Sequence, residues 1–118
     1  MFPKLEGYRM PAEWERHERT FVSWPVRDSM CYPENYESVC AGYEEICRAI
    51  AEFEPVTAIV NPQDEERVRE RFGAHPMISL LPIPHNDAWI RDNGPTFVRN
   101  GDGVVAGVNW KFNAWGGK

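Results

Sequence analysis

Val56-Thr57-Ala58-Ile59-Val60, followed at once by Asn61-Pro62, decides the fold of this chain. An unbroken run of β-branched and small apolar residues suits a strand buried on both faces. Asparagine and then proline are a cap and a first-turn residue, so a helix should start directly after the strand. Asp64, Glu65 and Glu66 near its beginning, with Arg67, Arg69 and Arg71 towards its end, suit the helix dipole, and Gly73 stops it. Upstream, apolar groups at Tyr36, Val39, Cys40, Tyr43, Ile46, Cys47, Ile50 and Phe53 recur every three or four residues. That stripe predicts an amphipathic helix over 33–53, with Pro33 in its first turn.

Working further outward, residues 18–25 read as a strand closed by Pro25, and Met77 to Ile83 as another closed by Pro82 and Pro84. Thr96–Arg99 and Val104–Asn109 read as two strands joined by Asn100-Gly-Asp-Gly103, which carries tight-turn residues. The order β-α-β-α-β-loop-β-β is α/β, with a sheet packed against helices. No linker or low-complexity stretch interrupts residues 1–118, so a single domain with no internal boundary is expected.

The chain has 118 residues, 42% hydrophobic and 26% charged, which excludes a disordered class. Thirteen basic against eighteen acidic residues leave a net charge of −5, and the basic residues do not cluster. Neither a nucleic-acid partner nor a membrane partner is expected from that balance. No apolar run approaches the ~20 residues of a membrane span, and the N-terminus lacks a signal-peptide core. The expected location is the cytoplasm. Three leucines stand against five tryptophans, four tyrosines and six phenylalanines. So many aromatics in so short a chain should either line a ligand site or pack against something outside it.

Cys31, Cys40 and Cys47 form no CxxC pair, and no histidine lies at zinc-site spacing, so no metal is expected. Cys40 and Cys47, seven apart, share a helix face and read as small buried hydrophobes. Cys31 precedes that helix in a loop, with no histidine nearby to make it a nucleophile. His17 sits among charges and His75 before a proline, and catalysis is expected from neither of them nor from His85. Gly101, Gly103 and Gly107 have strands on both sides, whereas a dinucleotide loop must open a helix.

Chemistry concentrates in Asn86-Asp-Ala-Trp-Ile-Arg-Asp-Asn-Gly-Pro95, which follows a strand end, where α/β folds place ligands. Asp87, Asp92 and Trp89 could hold a planar cation such as guanidinium, by charge-assisted hydrogen bonds and by stacking. Two plainer readings compete. Asp92-Asn-Gly-Pro could be an Asx-type turn, or either aspartate could pair with Arg91. Turn aspartates greatly outnumber ligand aspartates, so pattern alone favours the plainer readings.

This loop, extended to Phe97, resembles a signature of the agmatine deiminase and bacterial-type peptidylarginine deiminase family. Gly7-Tyr-Arg-Met-Pro-Ala-Glu-Trp-Glu-Arg-His-Glu-Arg-Thr20 with Ser23-Trp-Pro25, and Trp110-Lys-Phe-Asn-Ala-Trp-Gly-Gly-Lys118, resemble two more, in the family's order. The resemblance implies the N-terminal part of a pentein, a propeller of five ββαβ-like modules around a guanidine site. It implies hydrolysis of a guanidinium to a ureido group, with no metal or organic cofactor. In that chemistry a cysteine thiolate attacks the guanidinium carbon and ammonia leaves. Water then cleaves the amidino-thioether, releasing the ureido product and the thiolate, while a histidine moves protons and acidic residues grip the nitrogens. Carried over by position, Asp92 binds the guanidinium, as the catalytic residue of this chain, and Trp89 lines its pocket. Asp87 and Trp115 are substrate-binding candidates; Asp87, Arg91 and Gly94 shape the loop, and Asn113 and Gly116 match the third signature with less defined roles. The family's nucleophilic cysteine, histidine and glutamate are expected beyond residue 118, and none of the three cysteines here replaces the first. Agmatine is the expected substrate, with peptidyl-arginine or a non-catalytic guanidinium binder as alternatives and homo-oligomerisation left open.

Overall fold

A computed structural model describes residues 2–27, 29 and 34–117. The chain divides into two compact units, residues 17–90 and residues 1–16 with 91–118. The first unit holds the sequence that opened the reading. Strands β1 (Thr20–Ser23), β2 (Val56–Val60) and β3 (Ile78–Pro82) form a parallel sheet in the order β1-β2-β3. The register pairs Thr20 with Val56 and Val56 with Ile78. Helix α1 (Tyr36–Ala51) links β1 to β2, and a 3-10 turn (Pro62–Asp64) leads into α2 (Glu65–Phe72) before β3.

As expected of a central strand, β2 is covered on both faces. Val56, Ala58 and Val60 pack with Val22, Tyr36, Cys40, Cys47, Ala51, Val68 and Phe72, which puts both helices on one face of the sheet. Thr57 points the other way, buried but satisfied: its hydroxyl lies 3.0 Å from Ser79 Oγ and accepts a 3.0 Å bond from Arg19. Trp24, just past β1, is 2% exposed and meets Tyr43 and Phe72 edge-on, at centroid distances of 6.4 and 5.6 Å. Such aromatic contacts add about 0.5–1.5 kcal/mol each to the area they bury.

The structure trims several expectations, β1 from 18–25 to Thr20–Ser23 among them. Helix α1 ends at Ala51, two residues before the last member of the predicted stripe. Phe53 lies in the turn after it, where its N–H bonds Ile50 O, and is 86% exposed; Ile46 also faces outward. Pro33 and Cys31 lie outside the described residues. The side chain of Asn61 makes no helix-cap bond, because the chain opens as a 3-10 turn in which Asp64 N–H bonds the main-chain oxygen of Asn61. Strand β3 is shorter than Met77–Ile83, and Pro82 is tolerated because β3 is an edge strand. Gly73 ends α2 as expected, at φ +61 and ψ −152, a conformation few side chains can follow.

In the second unit, β4 (Thr96–Arg99) and β5 (Val105–Val108) pair antiparallel as a separate two-stranded sheet. Asn100 closes the hairpin, with its Oδ1 accepting from the N–H of both Asp102 and Val104 and Gly103 at φ +82. The glycines at 101, 103 and 107 thus serve a hairpin, as their strand-flanked spacing predicts. Arg9 and Arg99 exchange main-chain hydrogen bonds of 2.9 and 2.8 Å, fastening the N-terminal segment to β4.

At the other end of the first unit's sheet, the Thr20 hydroxyl and His17 Nδ1 (3.0 Å) converge on Glu54 Oε1. The hydrogen bond from Thr20, and then that from His17, hold the Glu54 carboxyl below its ordinary range. A carboxylate favoured in the folded state stabilises above its unfolded pKa and loses that contribution as pH falls through the folded one. Glu54→Gln is therefore expected to lower the urea midpoint at neutral pH. The gap from wild type should close on acidification below about 4.3, the unfolded value for glutamate. A gap that stays constant to the acid limit would deny Glu54 this role.

Candidate active site

The sequence turns irregular where β3 ends at Pro82, after Pro62 has already turned the chain away from the end of β2. Ile83 N–H gives one last bond to Val60 O (3.0 Å), and the chain then leaves the carboxyl end of the sheet. Asp87, half-buried, accepts the main-chain N–H of Trp89 at 3.4 Å, an Asx-type turn. Ala88 is buried beneath that turn, and its carbonyl takes the N–H of Ile90 at 2.9 Å. Trp89 is left 49% exposed, with an open indole surface. The turn chemistry expected of Asp92 is thus found at Asp87.

Ile90–Asn93 forms a single helical turn, α3, and the boundary between the units falls inside it. Arg91 does not pair with either aspartate: its guanidinium is 2.7 Å from Glu13. Asp92 is exposed, and among the described residues its carboxylate makes no side-chain hydrogen bond or ion pair. The competing pairing with Arg91 is therefore absent. Asp87 and Trp89 belong to the first unit, and Asp92 and Trp115 to the second.

Trp115 lies in the segment Ala114–Gly117, whose four residues all have positive φ: +50, +53, +99 and +74. Glycines adopt this left-handed region freely, but Ala114 and Trp115 do so at a cost of about 1–3 kcal/mol each. Asn113 holds the turn, its Oδ1 accepting Gly116 N–H at 3.1 Å, and its main-chain oxygen accepting that of Gly117 at 2.6 Å. Trp115 is 51% exposed and packs edge-on against Phe112, 5.1 Å between centroids. Sequence patterns carry no signal for this strained turn, since Ala114-Trp115 is an ordinary helical pair. Among the described residues no hydrogen bond, ion pair or ring contact joins Asp92 to Trp115. A groove of about 290 Å³ in the same unit is lined by Gly7, Arg9, Arg99, Asn100 and Gly101, with no carboxylate among them to hold a guanidinium ligand.

The thiols sit where the helix stripe predicts. Cys40 and Cys47 are buried and unpaired, and burial pushes both up from the ordinary cysteine value, Cys47 to about 11. Little thiolate is present at either. His75 Nδ1 accepts the N–H of Met77 (3.2 Å) within a turn, and both ring nitrogens of His85 face main-chain oxygens. Among the described residues no group of three or more His, Cys, Asp or Glu could hold a metal ion, and no helix is long and apolar enough to cross a membrane.

The described residues thus hold a parallel βαβ-type unit, a separate hairpin and an acidic, tryptophan-bearing loop at the strand ends. Residues 9–118 match the Porphyromonas-type peptidyl-arginine deiminase family, and the chain belongs to that family. It is 44% identical to an agmatine deiminase of Ectopseudomonas mendocina, over 98% of this chain and 31% of that one. A structure of the Enterococcus faecalis agmatine deiminase superposes with a TM-score of 0.89 at 37% identity, covering 98% of this chain and 31% of the other. A C. jejuni agmatine deiminase with substrate bound gives 0.81 at 28% identity, over 94% and 32%. The fold is the N-terminal part of a pentein, and the chain spans about a third of the length of the relatives it matches.

Proposed function

We propose that the protein to which this chain belongs hydrolyses the guanidinium group of agmatine, releasing ammonia and N-carbamoylputrescine. The likeness to agmatine deiminases along nearly the whole chain carries this reading. We read residues 1–118 as part of one deiminase domain without an internal boundary. Asp92, exposed and without a side-chain partner among the described residues, supplies a carboxylate for the guanidinium nitrogens. Trp89 and Trp115 offer half-exposed rings to the planar cation, and Asp87 sets the turn that presents Trp89. Holding the cation in register makes the attack on its carbon effectively intramolecular. We assign the nucleophile to a cysteine beyond residue 118, as the resemblance to the family implies; Cys40 and Cys47 lie buried with raised pKa. Free thiols at those positions suit the reducing cytoplasm.

A second reading, deimination of peptidyl-arginine, is favoured by the description of the matching family. The complete protein should turn over agmatine faster than a peptide ending in arginine. Faster citrulline formation in the peptide would reverse the order, and binding of agmatine without ammonia release would leave only a guanidinium-binding protein.

A further inference from the structure

One residue outside the proposed substrate contacts bonds at the ends of all three parallel strands, through its ring after β1 and β3 and through its main-chain N–H after β2. His85 Nε2 lies 2.9 Å from the main-chain oxygen of Trp24, directly after β1. Its Nδ1 lies 3.0 Å from that of Ile83, directly after β3. Its main-chain N–H donates to Asn61 Oδ1 at 2.9 Å, directly after β2. This third bond has a clear origin. The β2–β3 ladder advances by two residues per rung, so after Ile83 N–H to Val60 O the next donor is His85 N–H. Pro62 has already turned the chain into its 3-10 helix, and the buried Asn61 side chain supplies the acceptor instead.

We propose that His85 is a positioning residue, fastening the loop that begins two residues later, with Asp87 and Trp89, to the carboxyl ends of β1, β2 and β3. The proposal rests on the reading of that loop as part of the guanidinium site. The anchor points are rigid, because Trp24 is buried between Tyr43 and Phe72 and Val60 lies in the core. Whichever ring nitrogen carries the proton, the imidazole donates to a strand-end carbonyl. Both nitrogens face main-chain oxygens, so His85 acts through the loop and not on the substrate. Pro84 immediately before it limits the other conformations the segment can take.

The test compares His85→Ala and His85→Gln with wild type in the complete protein, by amide hydrogen exchange and by steady-state turnover of agmatine. Exchange across residues 86–90 should quicken in the Ala variant while 56–60 stay protected. The KM for agmatine should rise about tenfold, with kcat changing much less, as for a displaced binding group. The Gln variant, which keeps one donor, should fall between. Unchanged exchange at 86–90 would overturn the proposal. So would an unchanged KM, equal loss of protection at 56–60, or failure of both variants to fold, since each makes His85 a general structural residue. Should wild type leave agmatine untouched, the functional reading fails, whereas the exchange measurement still decides whether His85 fastens the loop.

Discussion

Asp92→Asn in the complete enzyme is expected to reduce kcat/KM for agmatine by about 30-fold to several thousand-fold, with the fold intact. Removing one charged partner of a desolvated, hydrogen-bonded pair costs about 2–5 kcal/mol, and every 1.4 kcal/mol is tenfold. Asparagine keeps the shape of the side chain and one acceptor but removes the charge that attracts and orients a guanidinium. The fold should be indifferent to the change, because Asp92 is exposed and makes no side-chain bond among the described residues. Steady-state rates read alongside a thermal melt separate the two effects. Activity within a few-fold of wild type would reduce Asp92 to a turn residue.

The second large effect is an absence of catalysis. Residues 1–118, purified and incubated with agmatine, are expected to release no ammonia above buffer. Asp92 can orient a guanidinium, but the carbon of a resonance-stabilised cation needs a strong nucleophile beside it. Cys40 and Cys47 are buried in the core of the first unit, with pKa values raised by that burial. Cys31, outside the described residues, has no histidine near it in sequence to generate a thiolate. Ammonia release that disappears on Cys31→Ser, Cys40→Ser or Cys47→Ser would place the nucleophile inside these residues and refute the assignment.

Periodicity is enough to find α1, which buries one helix face, and an unbroken β-branched run is enough to find β2, which is covered on both faces. Tyr36, Cys40, Cys47 and Ala51 are buried at helical spacing, as Val56, Ala58 and Val60 are at strand spacing. Asn61 stands at the N-cap position with Pro62 next, as the sequence predicts, but its side chain serves the His85 N–H, 24 positions away and beyond the reach of a local pattern. Phe53 was counted in the helix stripe although the helix stops short of it, an end effect that periodicity cannot sense. In the candidate site, residue types and loop position suggested a cation site, but resemblance was needed to favour Asp92 over a turn aspartate. The Asx turn that one of the plainer readings gives to Asp92 forms at Asp87, because both stand before turn-compatible residues. The left-handed Ala114-Trp115 pair escaped entirely, since neither residue prefers positive φ.

The two units differ in how the ribosome delivers them. Residues 17–90 are continuous, so every partner in the three-stranded sheet is available as soon as Pro82 has been synthesised. The other unit is split, and the N-terminal segment cannot exchange main-chain bonds with Arg99 until the whole intervening unit has been translated. At about 5–20 residues per second, that wait lasts roughly 4–15 s. Until then the segment that carries Phe2, Leu5, Met10 and Trp14, all exposed in the folded chain, has no strand to pair with at Arg9.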